Sequence, residues 1–233
     1  MKANRLVLLA VGAASMLALS GCAQSGGVAA RVGDTTVPTS DIDFLTELQC
    51  DILDKVAKQG GGQVQAVPVS RVRTQWVNTL IDSELNRQLA EREGVSYDKA
   101  TLRQAMDQFE STLAEAPAAD RDRAREMIEQ IYRGQLEAVT LAQQNLAAEG
   151  VTEPTDADLQ QAVTKVLDDF RTKVDIDVNP AYGADAGGVA GSVDPSLSRA
   201  VSSYAKASLG GLSVTAEPDA TWVGDLPADQ RCG

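Results

Sequence analysis

Two Ser-x-x-Lys tetrads are the residues of this chain whose types and spacing could do covalent chemistry. Ser96-Tyr97-Asp98-Lys99 and Ser203-Tyr204-Ala205-Lys206 both match the acylation motif of penicillin-binding enzymes. That chemistry also requires companion Ser-Asp-Asn and Lys-Thr-Gly motifs, and the sequence contains neither of them. We therefore interpret both tetrads as chance matches without a catalytic role.

Histidine is absent from all 233 residues, which excludes several catalytic classes. Ser-His-Asp triads, Cys-His pairs and His-Glu-x-x-His zinc sites cannot be built from this chain. The net charge of −12, from 21 Lys+Arg against 33 Asp+Glu, disfavours nucleic acid, whose phosphates need Lys and Arg. With 43% hydrophobic residues the chain can still bury a core. We expect a folded protein that is not an enzyme, with no nucleic acid and no small-molecule substrate.

Carboxylates cluster near one predicted strand and could in principle bind a cation. Asp175 and Asp177 alternate along that strand, and Asp168-Asp169 precedes them. A calcium loop of the EF-hand type needs five or six ligands around a glycine, and this spacing is missing. The sequence therefore predicts a solvated strand face, with no metal and no cofactor.

The N-terminal segment has the features of an export signal. Lys2 and Arg5 form a short cationic region, and residues 6–19 are uncharged and mostly apolar. A helix of that length rises about 21 Å, too short to cross about 30 Å of hydrocarbon comfortably. We predict a signal peptide over residues 1–21 rather than a membrane span.

The sequence Leu19-Ser20-Gly21-Cys22 looks like the bacterial lipobox, in which the cysteine thiol is diacylglycerated and the preceding bond is cut. Acyl chains on Cys22 would anchor the chain in the lipid bilayer, because each buried CH₂ contributes about 0.8 kcal/mol. Residues 22–27 then form a tether. We expect an exported lipoprotein on the outer face of the bacterial cell membrane.

Beyond the tether, hydrophobic periodicity predicts a mainly α protein of the α+β class: a bundle of about five amphipathic helices with a small sheet. Val28–Val32 and Thr35-Thr36-Val37 flank Gly33-Asp34, as expected of a short hairpin. Ser40, Ser70 and Thr155 are predicted helix N-caps, the last with Asp158 three residues later. Apolar residues then recur at helical spacing over residues 42–56, 72–89, 102–113, 127–139 and 159–170.

The pattern changes from helical to alternating at residues 174–178, which predicts a second short strand ended by Pro180. Short isolated strands are marginal in water, so we expect this strand to pair with Val28–Val32. Residues 28–180 then form one helical domain. Residues 181–233 form a Gly/Ala/Ser-rich tail with a possible short helix over 198–207. Trp222, Val223 and Leu226 predict that the tail is partly docked.

Two further cysteines remain once Cys22 is acylated. Cys50 lies on the first predicted helix and Cys232 is the penultimate residue. In an oxidising compartment a disulfide between them would fasten the tail to the helical domain. The alternative is a buried Cys50 and a free Cys232. We favour the disulfide.

The order of strand, glycine turn and acidic helix start, Ala30-Arg31-Val32-Gly33-Asp34-Thr35-Thr36-Val37 into Ser40-Asp41-Ile42-Asp43, resembles the N-terminal domain of SurA/PrsA-type export chaperones. The run from Val174 through Asn179-Pro180-Ala181-Tyr182-Gly183 looks like the returning strand of actinobacterial SurA-like lipoproteins. The resemblance covers residues 28–183. Full members of that family insert a parvulin prolyl-isomerase domain, and the catalytic sites of that domain rely on histidine. This chain contains no histidine and lacks that domain. The resemblance therefore implies a chaperone-like module without the isomerase.

These observations predict a membrane-anchored holdase that binds unfolded or exported polypeptides. The aromatic or soft side chains able to line a groove between helices are Trp76, Met106, Phe109 and Tyr132. Core packing explains each of them equally well. The alternative is a scaffold or assembly lipoprotein that binds one specific envelope protein partner.

Overall fold

The computed structural model describes residues 27–59, 65–183, 202–203, 205–207 and 220–233. The predicted signal peptide, Cys22 and the tether up to residue 26 lie outside the described residues, as do residues 198–201 and 204 of the helix expected over 198–207. Within the described ranges, no helix combines the length and apolar character needed to cross a membrane.

A three-stranded antiparallel sheet joins the two ends of the helical domain. β1 (Val28–Val32) is central, with β2 (Thr35–Pro38) on one side and β4 (Ile176–Val178) on the other. Gly33, at φ 58°, makes the tight turn between β1 and β2. Ala30 pairs with Val178 and Val32 with Ile176, so the expected pairing of the two distant strands is confirmed. β4 is shorter than the strand predicted over residues 174–178, because residues 174 and 175 lie before the first pair of the β1–β4 ladder.

Five long helices connect these strands, which confirms the predicted fold class. They are α1 (Thr39–Gln59), α2 (Val69–Glu93), α3 (Lys99–Leu113), α4 (Arg121–Ala148) and α5 (Asp156–Arg171).

Of the three predicted N-caps, only Thr155 lies at the start of its helix. Thr155 and Asp158 form the expected capping box at the start of α5. The predicted cap at Ser70 is wrong: α2 begins at Val69, and its N-cap is Pro68, which has no side-chain hydrogen bond to offer. The reason is β3 (Val67–Pro68), whose extended backbone runs directly into the helix. Ser40 likewise lies inside α1, which begins one residue earlier.

The described residues form two hydrophobic clusters that meet at α2. The first packs the sheet against α2, α4 and α5, with Val32, Ile81 and Leu85 fully buried. The second joins α1 to the α3–α4 turn through Leu45 and Leu113. Trp76 and Leu80 of α2 pack against both clusters, so this helix is the central element of the bundle.

The last described residues return to the helical domain. α6 (Ala220–Gly224) contributes Val223, and Leu226 follows it into the interior; their exposed fractions are 1% and 7%. β5 (Arg231–Cys232) then pairs with β3, with Cys232 opposite Val67. The backbone N–H of Gly233 donates to Oδ1 of Asp54 on α1 at 2.7 Å. The C-terminal end is therefore held against the loop side of the α1–α2 pair.

Candidate binding groove

A groove of about 540 Å³ opens between the α1–α2 pair and the α3–α4 pair. One side of the groove consists of successive turns of α1 and α2. The other side consists of one turn of α3 and one turn of α4. The lining residues are Leu45, Leu48, Gln49, Ile52, Leu53, Gln75, Trp76, Asn78, Thr79, Phe109, Thr112 and Ile128. This volume lies within the range of pockets that bind drug-sized molecules.

The α1 wall follows from the spacing of uncharged residues along that helix. Leu45, Leu48 and Ile52 recur at the three- and four-residue intervals that place side chains on one face, and Leu53 follows the lining residue Gln49 by four residues. Leu45 and Leu48 belong to the second hydrophobic cluster, whereas Leu53 belongs to neither cluster among the described residues. The N-terminal end of this face therefore belongs to the hydrophobic core, whereas Leu53 at its C-terminal end lines only the groove.

Two polar contacts fix the distance between the groove's two sides. Lys55 of α1 donates through Nζ to the backbone oxygen of Glu115 in the α3–α4 turn. Arg123 of α4 forms an ion pair of 2.8 Å with Asp41 and stacks over the Phe44 ring at 4.1 Å. These contacts tie α1 to the far side of the groove at both ends of the opening.

The α3–α4 turn is itself braced by arginines. Arg121 donates to the backbone oxygens of Ala116 and Ala114 at 3.0 and 2.7 Å, which satisfies carbonyls at the end of α3. Arg125 binds Glu110 across the turn at 2.8 and 2.9 Å. The hydrogen bond from Arg125 lowers the pKa of the Glu110 carboxyl. The carboxylate therefore stays ionised and paired at neutral pH.

Position and orientation of α2 come from its opposite face, which rests on the sheet. Gln88 donates from Nε2 to the Val32 backbone oxygen at 2.9 Å and to Glu84 at 2.7 Å. Burial raises the pKa of Glu84, but hydrogen bonds from Arg87, Gln88 and Thr35 outweigh that effect and lower the pKa overall. The ionised carboxylate is thus part of the contact that holds α2 on β1.

A second polar contact fastens α2 to α5. Arg171 donates to Oδ1 of Asp82 in a half-buried ion pair. Burial raises the pKa of Asp82, and the charge and hydrogen bond of Arg171 offset that rise only in part. Asp82 lies one helical turn beyond the lining residues Asn78 and Thr79, and its ion pair positions α2 against α5 without lining the groove.

Trp76 is the residue shared by the core and the groove. Its ring lines the groove while packing against both hydrophobic clusters. Its Nε1 atom is buried and has no hydrogen-bond partner within the described residues. An unpaired buried donor costs roughly 1–3 kcal/mol. The indole is therefore held at this position by packing rather than by polar contacts.

The structure brings together two of the four predicted groove residues. Trp76 on α2 and Phe109 on α3 both line the groove. Met106 and Tyr132 are partly buried but do not line this groove. Each lies about one helical turn from a lining residue, Met106 before Phe109 and Tyr132 beyond Ile128. The groove is only one turn long on α3 and α4, so both side chains fall past its ends.

Sequence reasoning missed the residues that form most of the lining. The sequence pattern assigns Leu45, Leu48 and Ile52 to the apolar stripe of the first helix and indicates no role for Leu53, Gln49 or Gln75. The available signal was the absence of charge at residues 45, 48, 49, 52 and 53 in a helix that carries charges on its other faces.

The other predicted positions lie apart from the groove. Ser96 is exposed in the connection before α3, and Lys99 is exposed as the first residue of that helix, whose N-cap Asp98 accepts hydrogen bonds from the N–H groups of Ala100 and Thr101. Ser203 and Lys206 are also exposed. Asp175 and Asp177 both face solvent, and only Asp177 belongs to β4.

Cys50 and Cys232 are joined in the structure, with their Cα atoms 4.7 Å apart. That separation lies within the usual range for a disulfide. Cys232 is fully buried, and Cys50 lies on α1 next to the lining residue Gln49. The link therefore fastens β5 to the helix that forms one wall of the groove.

The groove is suited to binding. Its side chains are aliphatic, aromatic, amide and hydroxyl groups, and none of these ionises near neutral pH. Comparison of the chain with protein-family models, with curated proteins and with solved structures gives no significant match. The fold and the groove thus define a mainly α protein with a candidate binding site for an apolar ligand.

Proposed function

We propose that this protein is a cell-envelope lipoprotein of the holdase type, which binds exported or unfolded polypeptide in the groove between the α1–α2 and α3–α4 pairs. It acts by binding and does not catalyse prolyl isomerisation. The observation that carries the proposal is the groove itself, a partly open apolar surface with an amide rim. The resemblance of residues 28–183 to SurA-type chaperones supports the same function.

The expected mechanism is burial of client side chains against the aliphatic and aromatic floor. Each apolar group removed from water contributes roughly 25 cal/mol per Å² of buried surface. Unfolded chains expose such groups, and a chain bound through them cannot use them to aggregate. The acidic surface, with a net charge of −12, keeps the complex soluble. Lipidation of Cys22 would hold this activity at the membrane surface where exported chains emerge.

The test is suppression of aggregation of reduced, denatured lysozyme, followed by light scattering. The protein used is the chain from residue 27 on, because both hydrophobic clusters, both sheets and the Cys50–Cys232 link lie within it. We expect suppression at severalfold molar excess. No suppression at that ratio would remove the holdase function.

A matched pair of α1 variants ties the effect to the groove. Leu53→Asp places a charge on the lining and should abolish suppression. Val56→Asp, at a position on the same helix that is 41% exposed and does not line the groove, should retain it. Equal activity of the two variants would place client binding elsewhere. Crosslinking in cells distinguishes the holdase from the scaffold function. A holdase should crosslink to many clients, and a scaffold protein should crosslink to one stoichiometric partner.

A further inference from the structure

We infer that the groove selects uncharged segments, in an extended conformation, and rejects both acidic and basic side chains. This inference rests on the proposed polypeptide binding and specifies which part of a client is bound. Apolar side chains occupy the floor, and the main chain lies along the amide rim. Affinity is therefore independent of the protein's strong negative charge.

The first observation is the absence of ionisable residues from this lining. Charged residues make up 23% of the chain, yet none of the twelve lining residues is charged. Three other cavities in the described part of the chain contrast with it. Their linings include Glu149 and Lys165 in one, Asp82 in the second, and Asp43 and Arg73 in the third. The lining of the groove is thus uncharged, whereas the linings of these three cavities in the described part of the chain are charged.

The second observation concerns one cation at each end of the groove. Lys55 is engaged with the Glu115 backbone oxygen, and Arg123 with Asp41. A charged client side chain entering the groove would lose its water without gaining a partner of opposite sign. Burial of such an unpaired charge is strongly unfavourable. With no ionisable residue in its lining, the groove therefore disfavours both lysine and glutamate side chains.

The third observation identifies the main chain as the polar part of the ligand. Gln49 stands on the α1 wall at a half-buried position, and Gln75 stands on the α2 wall at an exposed one. Each amide offers two N–H donors and one carbonyl acceptor. A peptide backbone presents the complementary carbonyl and N–H groups at every residue. An acyl chain of similar volume presents neither along its length, so polypeptide is the better match.

The test uses three labelled ten-residue peptides with blocked termini, and their dissociation constants are measured by fluorescence anisotropy. The first alternates apolar residues with serine and asparagine. The second and third replace its two central apolar residues with lysine or with glutamate. We expect both charged peptides to bind at least about tenfold more weakly. For the neutral peptide, raising the salt from 50 to 500 mM should change the affinity by less than about twofold.

Variants of the protein test the same point from the other side. Gln49→Glu and Thr112→Lys place opposite charges on the lining, and each should weaken the neutral peptide by about fivefold or more. Thr112 is exposed, so that variant keeps the test valid if the change at half-buried Gln49 lowers stability. Gln104→Glu, at an exposed position of α3 outside the groove, is the control and should leave affinity unchanged.

Three results would overturn the inference. The first is equal or tighter binding of the lysine peptide with loss of affinity at high salt, which indicates attraction to the acidic surface. The second is equal affinity of the Gln49→Glu and Gln104→Glu variants for the neutral peptide. The third is binding of palmitate with no binding of any peptide. If lysozyme aggregation is still suppressed in these cases, the holdase function stands and only the selectivity is wrong.

Discussion

The side chain of Asn179 donates a hydrogen bond of 3.0 Å from Nδ2 to the backbone oxygen of Val28, 151 residues earlier in the chain. Its backbone N–H donates to the next carbonyl, that of Ala29, at 2.9 Å. Its Oδ1 accepts from the N–H of Ala181 at 3.0 Å and starts the 3₁₀ turn Pro180–Tyr182. One residue thus closes the sheet at β1 and directs the chain out of the helical domain.

Replacing Asn179 with alanine should therefore lower the free energy of unfolding by about 1–2 kcal/mol. The change removes the Val28 contact and the cap of the 3₁₀ turn together. Urea denaturation measures the loss, and Gln143→Ala at an exposed position of α4 is the control, expected within about 0.5 kcal/mol of the parent. A loss no larger than that of the control would mean that these hydrogen bonds contribute nothing to stability.

The disulfide between Cys50 and Cys232 links residues 182 positions apart. Closing so long a loop restricts the unfolded chain, and the chain-entropy model gives a stabilisation of at most about 5 kcal/mol. The double variant Cys50→Ser/Cys232→Ser should therefore melt at a lower temperature than the oxidised parent. Differential scanning calorimetry measures the shift, and reduced parent protein should melt close to the double variant.

Thiol titration checks the same link chemically. Protein produced in an oxidising compartment with Cys22 replaced by serine, and then unfolded without reductant, should contain no free thiol. Two free thiols per chain would contradict the disulfide, whatever the melting temperatures.

The network around Glu84 predicts a defined pH dependence. Its side chain is 12% exposed and accepts from Arg87 at 2.9 Å and from Gln88 at 2.7 Å. Because its pKa is lower in the folded state than in the unfolded chain, the folded state binds the proton less readily. Its contribution to stability is therefore present above the unfolded pKa of about 4.3 and is lost as the pH falls through the folded pKa.

Glu84→Gln should accordingly be less stable than the parent at pH 7, by about 1–2 kcal/mol. The difference should shrink as the pH is lowered below about 4. Chemical denaturation at a series of pH values measures both. Glu126→Gln, on the exposed face of α4, should track the parent throughout. A constant difference between Glu84→Gln and the parent at every pH would show that ionisation of Glu84 does not contribute.

Local sequence determined the elements of this protein. The helical spacing of apolar residues predicts the five long helices, and Thr155 with Asp158 predicts the start of α5, because each signal involves residues within a turn or two of one another. The pairing of β1 with β4 was also predictable, since two short strands in a helical domain each need a partner. The sequence also shows that the side chains at residues 45, 48, 49, 52 and 53 of α1 are uncharged. It does not show that they line a groove.

Tertiary structure decided the contacts for which the sequence carries no local signal. The pairing of β3 with β5 involves two residues on each side, too few for an alternating pattern to show. Ser70 lost its expected role as a cap because β3 leads straight into α2. Trp76 and Phe109 line the groove, whereas Met106 and Tyr132 do not. The reason is that packing among the four helices leaves only one turn of α3 and one turn of α4 next to the opening. Periodicity assigns a residue to a face of its helix, but packing between helices decides how much of that face is covered.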